Sequence, residues 1–262
     1  MTKLKRIAGH RVLHLRRTAS TMDAARREAA RGAPDGLAVL TDFQITGRGR
    51  RGTRWHCPRG AGLLVSVLTR EPAVERDSSL STILASVAAA EACRRACRVK
   101  AWIKWPNDVV IDDGELKKLG GVLVEKILTP NAGPTFILGI GINANMDREQ
   151  LPDLVDVPAT SLLLCSGKAV DRDALLAELL SRIDFWREKL RSGKAWRLRR
   201  RWRELMALTG MVVEAIADRE RVTGLVTGVS RRGELEIELP DGSVKRLVAE
   251  TTRILRARRA IT

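Results

Sequence analysis

The sequence predicts an α/β (α+β) chain: a β-sheet domain flanked by helices over residues 1–209, then a small β-barrel over residues 210–262. Two observations predict it. Up to about residue 209, short apolar runs of strand type alternate with longer segments of helical period. From Met211 the texture changes to short alternating segments parted by Gly, Asp-Gly and charged turns, the pattern of a small barrel. A chain of 262 residues is long enough to bury a core in one large and one small part.

The elements follow in order. "RVLHLRR" reads as a strand. "STMDAARREAARG" reads as a helix with Ser20 at the N-cap, Asp23 at the third helical position and Gly32 as its stop. "LAVLTDFQ" and "GLLVSVLTR" are strands on either side of an arginine-rich loop, and "SSLSTILASVAAAEACRRAC" is a long helix. "AWIKWPNDVVID" reads as one strand, bent by Pro106 and joined through a turn at Asp113-Gly114 to the strand "KLGGVLVEKIL". "TFILGIGINAN" is a further apolar strand. "DRDALLAELLSRIDFWREKL" is a helix of clear 3.6-residue period, and helical spacing beyond it turns Trp186, Leu190, Leu198, Trp202 and Leu205 toward a core. In the small barrel, Glu234, Glu236 and Glu238 alternate with apolar Leu235, Ile237 and Leu239.

Composition narrows the function classes. The start "MTKLKRIAGH" lacks the apolar stretch of a signal peptide, and no run reaches the length of a membrane span. The four cysteines are few and scattered, which suits a reducing cytoplasm and no disulfide framework. Cys93 and Cys97, like His10 and His14, lack further ligands at metal-binding spacing. Net charge is +16, with 47 Lys plus Arg against 31 Asp plus Glu. Charge of that size raises nucleic acid as a partner. However, no helix-turn-helix or zinc-finger spacing accompanies it, and there is no Tyr for base stacking. The basic segments read as solvated faces, and no specific nucleic-acid partner is expected.

Four stretches carry chemistry. "GRGRRG" at Gly47–Gly52 has the spacing of a dinucleotide-binding turn, but the following "TRWHCPRGAG" cannot open the helix such a turn needs. What remains is a glycine-rich loop carrying Arg48, Arg50 and Arg51, fork-shaped donors suited to phosphate and carboxylate. In "KWPND", Pro106 frees Asn107 and Asp108 to face a cavity. In "LKKLGGVLVE", a lysine pair enters a strand whose glycines, Gly120 and Gly121, let a ligand approach the backbone. In "LGIGINAN", Gly139 and Gly141 bare one face of a strand for something flat to lie on it, with Asn143 following.

Taken with "STMD" at Ser20–Asp23 and the frame from Gln44 to Trp55, the order and spacing of these motifs resemble one family, the biotin–protein ligases. The resemblance covers nearly the whole chain, including a terminal barrel of the SH3 type behind a mixed sheet. Regulatory members carry a DNA-binding winged helix before the catalytic domain, and this chain resembles the short class without it. The resemblance implies an ATP-dependent ligase that makes biotinyl-5′-AMP and passes biotin to a lysine of a carboxylase's biotin carboxyl carrier domain. It implies biotin and ATP with Mg2+ as substrates, no permanently bound cofactor, a cytoplasmic location, no membrane partner, and a monomer or homodimer. By position in the motifs it assigns Lys118, rather than Lys117, to the biotin carboxyl and the α-phosphate. Arg48, Arg50 and Asp108 complete the catalytic set, with Asp108 orienting or deprotonating the incoming carrier lysine. Ser20, Thr21, Gln44, Gly47, Arg48, Lys118, Gly121 and Gly139 are expected around biotin, and Arg50, Arg51, Trp55, Lys118 and Asn143 around the adenylate. Asn143 is also expected to help position magnesium, and the strand Val122–Val124 to wall the pocket. Lipoate ligases and octanoyl transferases share this fold and acyl chemistry but lack the "GRGRRG" and "KWPND" pairing. A basic nucleic-acid-binding protein on the same scaffold would not need Lys118, Asp108 and the arginine loop together.

Overall fold

A computed structural model of the chain describes residues 3–71, 77–129, 133–153 and 157–260. Eight strands form one mixed sheet in the order β1-β2-β3-β4-β8-β7-β6-β5. They are β1 (Lys3–Ile7), β2 (His10–Leu15), β3 (Ala38–Thr41), β4 (Gly62–Thr69), β5 (Ala101–Lys104), β6 (Asp108–Asp112), β7 (Leu116–Thr129) and β8 (Gly133–Asn143). Only β2 and β3 pair in parallel, because helix α1 (Thr21–Ala30) carries the chain back between them. The central strands β3 and β4 are buried at every residue, which explains their unbroken apolar runs.

The two faces of the sheet are covered by different helices. Leu40, Val65 and Leu138 share one cluster with α2 (Ser79–Cys97), α4 (Arg172–Arg191) and α5 (Ala195–Glu204). Their neighbours Val39, Leu68 and Ile137 instead meet Met22, Ala25 and Ala29 of α1. Period-2 alternation along the strands supplies both layers. Helix α4 buries Leu175, Leu176, Leu179, Leu180, Ile183, Trp186 and Leu190, the stripe that its sequence period predicts. Gly193 then takes a positive φ of 72° and ends the helical run, and α5 starts afresh with Leu198 and Trp202 buried. A short helix, α3 (Leu162–Ser166), precedes α4.

Five further strands form a separate antiparallel sheet in the order β12-β11-β10-β9-β13. These are β9 (Met211–Ala217), β10 (Glu220–Val229), β11 (Leu235–Glu238), β12 (Val244–Leu247) and β13 (Thr252–Arg259). Leu235 and Ile237 point inward and the intervening glutamates outward, as the alternation requires. This sheet leans on the larger one. The Trp105 indole Nε1 donates to Gly233 O at 2.8 Å, and Val213, Ala215, Leu235 and Ile237 join the same buried cluster as α2 and α5.

Two expectations change. "AWIKWPNDVVID" is not one bent strand but a hairpin: β5 and β6 pair antiparallel, with Lys104 opposite Asp108. Pro106 cannot donate to a ladder, so it sits in the turn rather than in a strand. The first strand also gains a partner, since Lys3–Ile7 folds back on His10–Leu15 through Gly9 at φ 82°.

Candidate active site

The face of the large sheet that α1 covers is open beyond the helix N-terminus, and there a cavity of about 420 Å3 lies between strands and loops. Such a volume suits a substrate of cofactor size. Its neutral part is built by the start of α1. The Ser20 hydroxyl caps the helix by accepting from Met22 N at 3.2 Å. Thr21 donates twice to Gln44 Oε1, from its backbone N at 2.8 Å and its hydroxyl at 3.1 Å. The Thr21 hydroxyl in turn accepts from Ser66 Oγ at 2.8 Å, deep on β4. With its oxygen occupied by two donors, Gln44 offers its amide N–H groups to the cavity.

The cationic part comes from the other half of the sheet. Lys118 Nζ meets Asp108 Oδ1 at 2.8 Å and stands 6.0 Å from the Trp55 ring centroid. Lys117 points away and pairs with Asp113 at the turn, also at 2.8 Å. Strand alternation sends the two lysines to opposite faces, and a β-bulge beyond them sets what shares the cavity face with Lys118. Val109 pairs with Gly120 but Val110 pairs with Lys118, so Leu119 is the extra residue. Strict alternation would put Lys118 and Gly121 on opposite faces. The bulge puts both on the cavity face, where a Cβ on Gly121 would meet Asp108 Oδ1 at 3.4 Å and Lys118 Cε at 3.8 Å. Gly120 faces the other way, against Gly141 O, so only one glycine of the pair serves the cavity. The backbone of Lys118 is fixed by a loop from the far side: its N donates to Pro158 O at 2.7 Å and its O accepts from Thr160 N at 2.8 Å.

The arginine loop closes the cavity, and its three guanidiniums diverge. Arg48 donates to Asp23 Oδ1 at 2.7 Å and lies 3.7 Å from Glu125. Arg50 donates to Asn107 Oδ1 at 3.2 Å and to Ala249 O at 2.8 Å. Burial, with the neighbouring Arg51 charge second, pulls Arg50 below the ordinary guanidinium value, and it stays charged at neutral pH. Arg51 turns toward the small sheet. Gly47 is required by close approach, since a Cβ there would meet Trp55 O at 2.7 Å and Gln44 Nε2 at 2.9 Å.

The bare glycine face does receive something flat, and it is the chain's own Trp55. A Cβ on Gly141 would meet the indole Cε2 at 2.7 Å, while one on Gly139 would collide with Met22 Sδ. The Trp55 Nε1 is buried and has no hydrogen-bond partner among the described residues. An unmet buried donor costs on the order of 1–3 kcal/mol, so this N–H favours an acceptor arriving with a ligand.

The Biotin/lipoate A/B protein ligase family matches residues 14–145, half of the chain. The chain belongs to that family. It is 33% identical over 174 residues to the bifunctional ligase/repressor BirA of Bacillus spizizenii, covering 66% of this chain and 53% of that protein. The chain thus spans about half the length of that relative. It is 29% identical over 227 residues to the biotin–[acetyl-CoA-carboxylase] ligase of Paracoccus denitrificans, covering 84% of this chain and 92% of that one. Among solved structures, biotin protein ligase from Aquifex aeolicus in complex with biotin and ATP matches with a TM-score of 0.78 at 26% identity. The match covers 95% of this chain and 99% of that one.

Of the residues expected around biotin and the adenylate, all but Gly47 line the cavity, and Gly47 packs closely against Gln44 and Trp55. Ser20, Thr21, Gln44, Arg48, Arg50, Arg51, Trp55, Asp108, Lys118, Gly121, Gly139 and Asn143 all face it. Asn143 is held by donating its Nδ2 to Thr160 O at 2.9 Å. Of the strand Val122–Val124, Val122 and Leu123 contribute to the wall. Sequence reasoning missed Ser66, a single hydroxyl in an apolar run, and Lys104, which is 7% exposed and lines the cavity. It also missed Asp153, Val157 and Arg253, which arrive from a loop and a strand that carry no motif.

Proposed function

We propose that the protein is an ATP-dependent biotin–protein ligase that forms biotinyl-5′-AMP and transfers biotin to a lysine of a biotin carboxyl carrier domain. One observation carries the reading: a single cavity joins the neutral Ser66–Thr21–Gln44 hydrogen-bond chain to the cations Lys118 and Arg50. A ureido ring needs paired donors and acceptors in an enclosed pocket, and an acyl phosphate centre needs positive charge. The dithiolane ring of lipoate has no use for the first feature.

In the first step a biotin carboxylate oxygen attacks the α-phosphorus of ATP, the bond to the bridging β-oxygen breaks, and pyrophosphate leaves. Both reactants are anionic, so Lys118 and Arg50 offset their repulsion and the charge growing on phosphorus. In the second step the amine of a carrier lysine attacks the acyl carbon and the bond to AMP breaks, leaving an amide. Asp108, 2.8 Å from Lys118, is our candidate to take the amine proton. Magnesium enters with the triphosphate as part of the substrate. Among the described residues no group of three His, Cys, Asp or Glu side chains is placed to hold a metal. Asn143 would help position the ion beside the phosphates.

The test incubates the purified protein with an apo carrier domain, magnesium-ATP and either biotin or lipoate. Labelling by biotin alone is expected. Equal labelling by lipoate would move the protein to the lipoate branch of its family, and labelling by neither would overturn the ligase reading.

A further inference from the structure

The loop arginines look alike in sequence, yet their partners differ: Arg48 meets a carboxylate, Arg50 an amide and one carbonyl, and Arg51 a set of backbone carbonyls beside the small sheet. Arg51 Nη2 lies 2.6 Å from Thr252 O, 3.1 Å from Ala249 O and 3.2 Å from Glu250 O. These carbonyls belong to the turn between β12 and β13, which is closed by its own bonds from Thr251 N and Thr252 N to Val248 O. The turn therefore presents several backbone acceptors toward one side, and the guanidinium fills them. The Arg51 backbone is in the left-handed region at φ 54° and ψ 34°, unfavourable for any residue with a Cβ. Contacts of the side chain oppose that cost. Arg50, next along, bridges the same Ala249 carbonyl and Asn107 of the β5–β6 turn.

We propose that Arg51 is a positioning residue: it latches the Gly47–Gly52 loop to the 249–252 turn, so that the small sheet holds Arg50 over the nucleotide. The kinetic half of this proposal rests on the ligase reading, while the latch itself does not. It gives the small sheet a part in catalysis although no family motif lies within it. Loss of the latch frees the loop and the turn together, with or without nucleotide. A guanidinium that bound phosphate directly would leave the ligand-free loop unchanged when removed.

Hydrogen exchange of the ligand-free protein separates the two. The Gly49 and Thr53 amides report the loop, bonded to Thr53 O and Arg50 O, and the Thr252 amide reports the turn. Arg51→Ala is expected to speed exchange about tenfold at all three amides and to raise the KM for ATP by a similar factor, with kcat changed less. Arg51→Gln keeps N–H donors for the carbonyls but removes the charge, and is expected to lie between the two. Unchanged exchange in Arg51→Ala overturns the latch whatever happens to KM. So does a Gln variant indistinguishable from Ala at these amides. If exchange responds as expected in a protein that never turns over ATP, the latch stands and the ligase reading fails.

Discussion

Lys117 and Lys118 are chemically identical neighbours, and the ordinary alternation of a strand sends them to different surroundings. Lys118 is expected to be the catalytic one because it reaches Asp108 and the cavity, whereas Lys117 is engaged at an exposed turn. Lys118→Ala should lower the rate of adenylate formation by roughly 100-fold to 1,000-fold, the scale for losing one charge-stabilising group. Lys117→Ala should stay within about threefold, since surface ion pairs contribute little. Rapid-quench measurement of biotinyl-AMP decides it, and reversed phenotypes would move the catalytic role to Lys117. Ser66 makes a second case. Its hydroxyl donates to Thr21, whose own proton goes to Gln44, so Ser66 fixes the direction of the whole chain. Ser66→Ala should weaken biotin binding about fivefold, the effect of one buried hydrogen bond, without loss of fold. Titration calorimetry beside a melting curve would show this. Motif residues such as Lys118 and Gln44 were legible because their spacing is distinctive. A lone serine in "GLLVSVLT" carries no such signal, for its meaning depends on a helix residue 45 positions away.

At the scale of elements, alternation and helical period located most strands and the main helices, since burial on one face imposes those periods. The β5–β6 hairpin and the strand β1 escaped, because a turn around proline and a short basic edge strand leave weak periodic marks. Packing between elements was less legible still. His10 on β2 places Nδ1 2.7 Å from Gly36 O and Nε2 2.8 Å from Asp184 on α4. Both partners are acceptors, so only the imidazolium satisfies them together. The hydrogen bond to Asp184 raises the His10 pKa above 6.5, against burial and the nearby Arg187 charge. A raised folded-state pKa contributes stability that is complete below about pH 6.5 and is lost as pH rises through the folded value. Melting temperatures from pH 6 to 9 should therefore fall in the native protein and less steeply in His10→Gln. Parallel profiles would exclude the imidazolium bridge.

At the scale of the molecule, the excess of arginine finds a structural use. The basic segment read from sequence as a solvated face is partly a set of ties. Arg187 joins Glu71 at 2.5 Å and also Asp35, Arg199 joins Asp77, and Arg201 joins Glu91 at 2.7 Å. Glu71 is 1% exposed, so the Arg187–Glu71 tie sits inside the fold, while the Arg199 and Arg201 pairs are partly exposed. The small sheet begins at Met211, where the texture of the sequence changes, and the part of its docking that runs through backbone carbonyls leaves no mark in the sequence. Ala249, Glu250 and Thr252 receive Arg50 and Arg51 by main-chain atoms that any sequence would supply. One core and one cavity thus draw on both sheets, and the activation of biotin proposed above belongs to that cavity. Exchange of labelled pyrophosphate into ATP, measured without any carrier protein, tests it most directly. Exchange that requires biotin and is not supported by lipoate is the predicted result. Exchange driven equally by lipoate, or absent with biotin in the folded protein, would show that this cavity does not activate biotin.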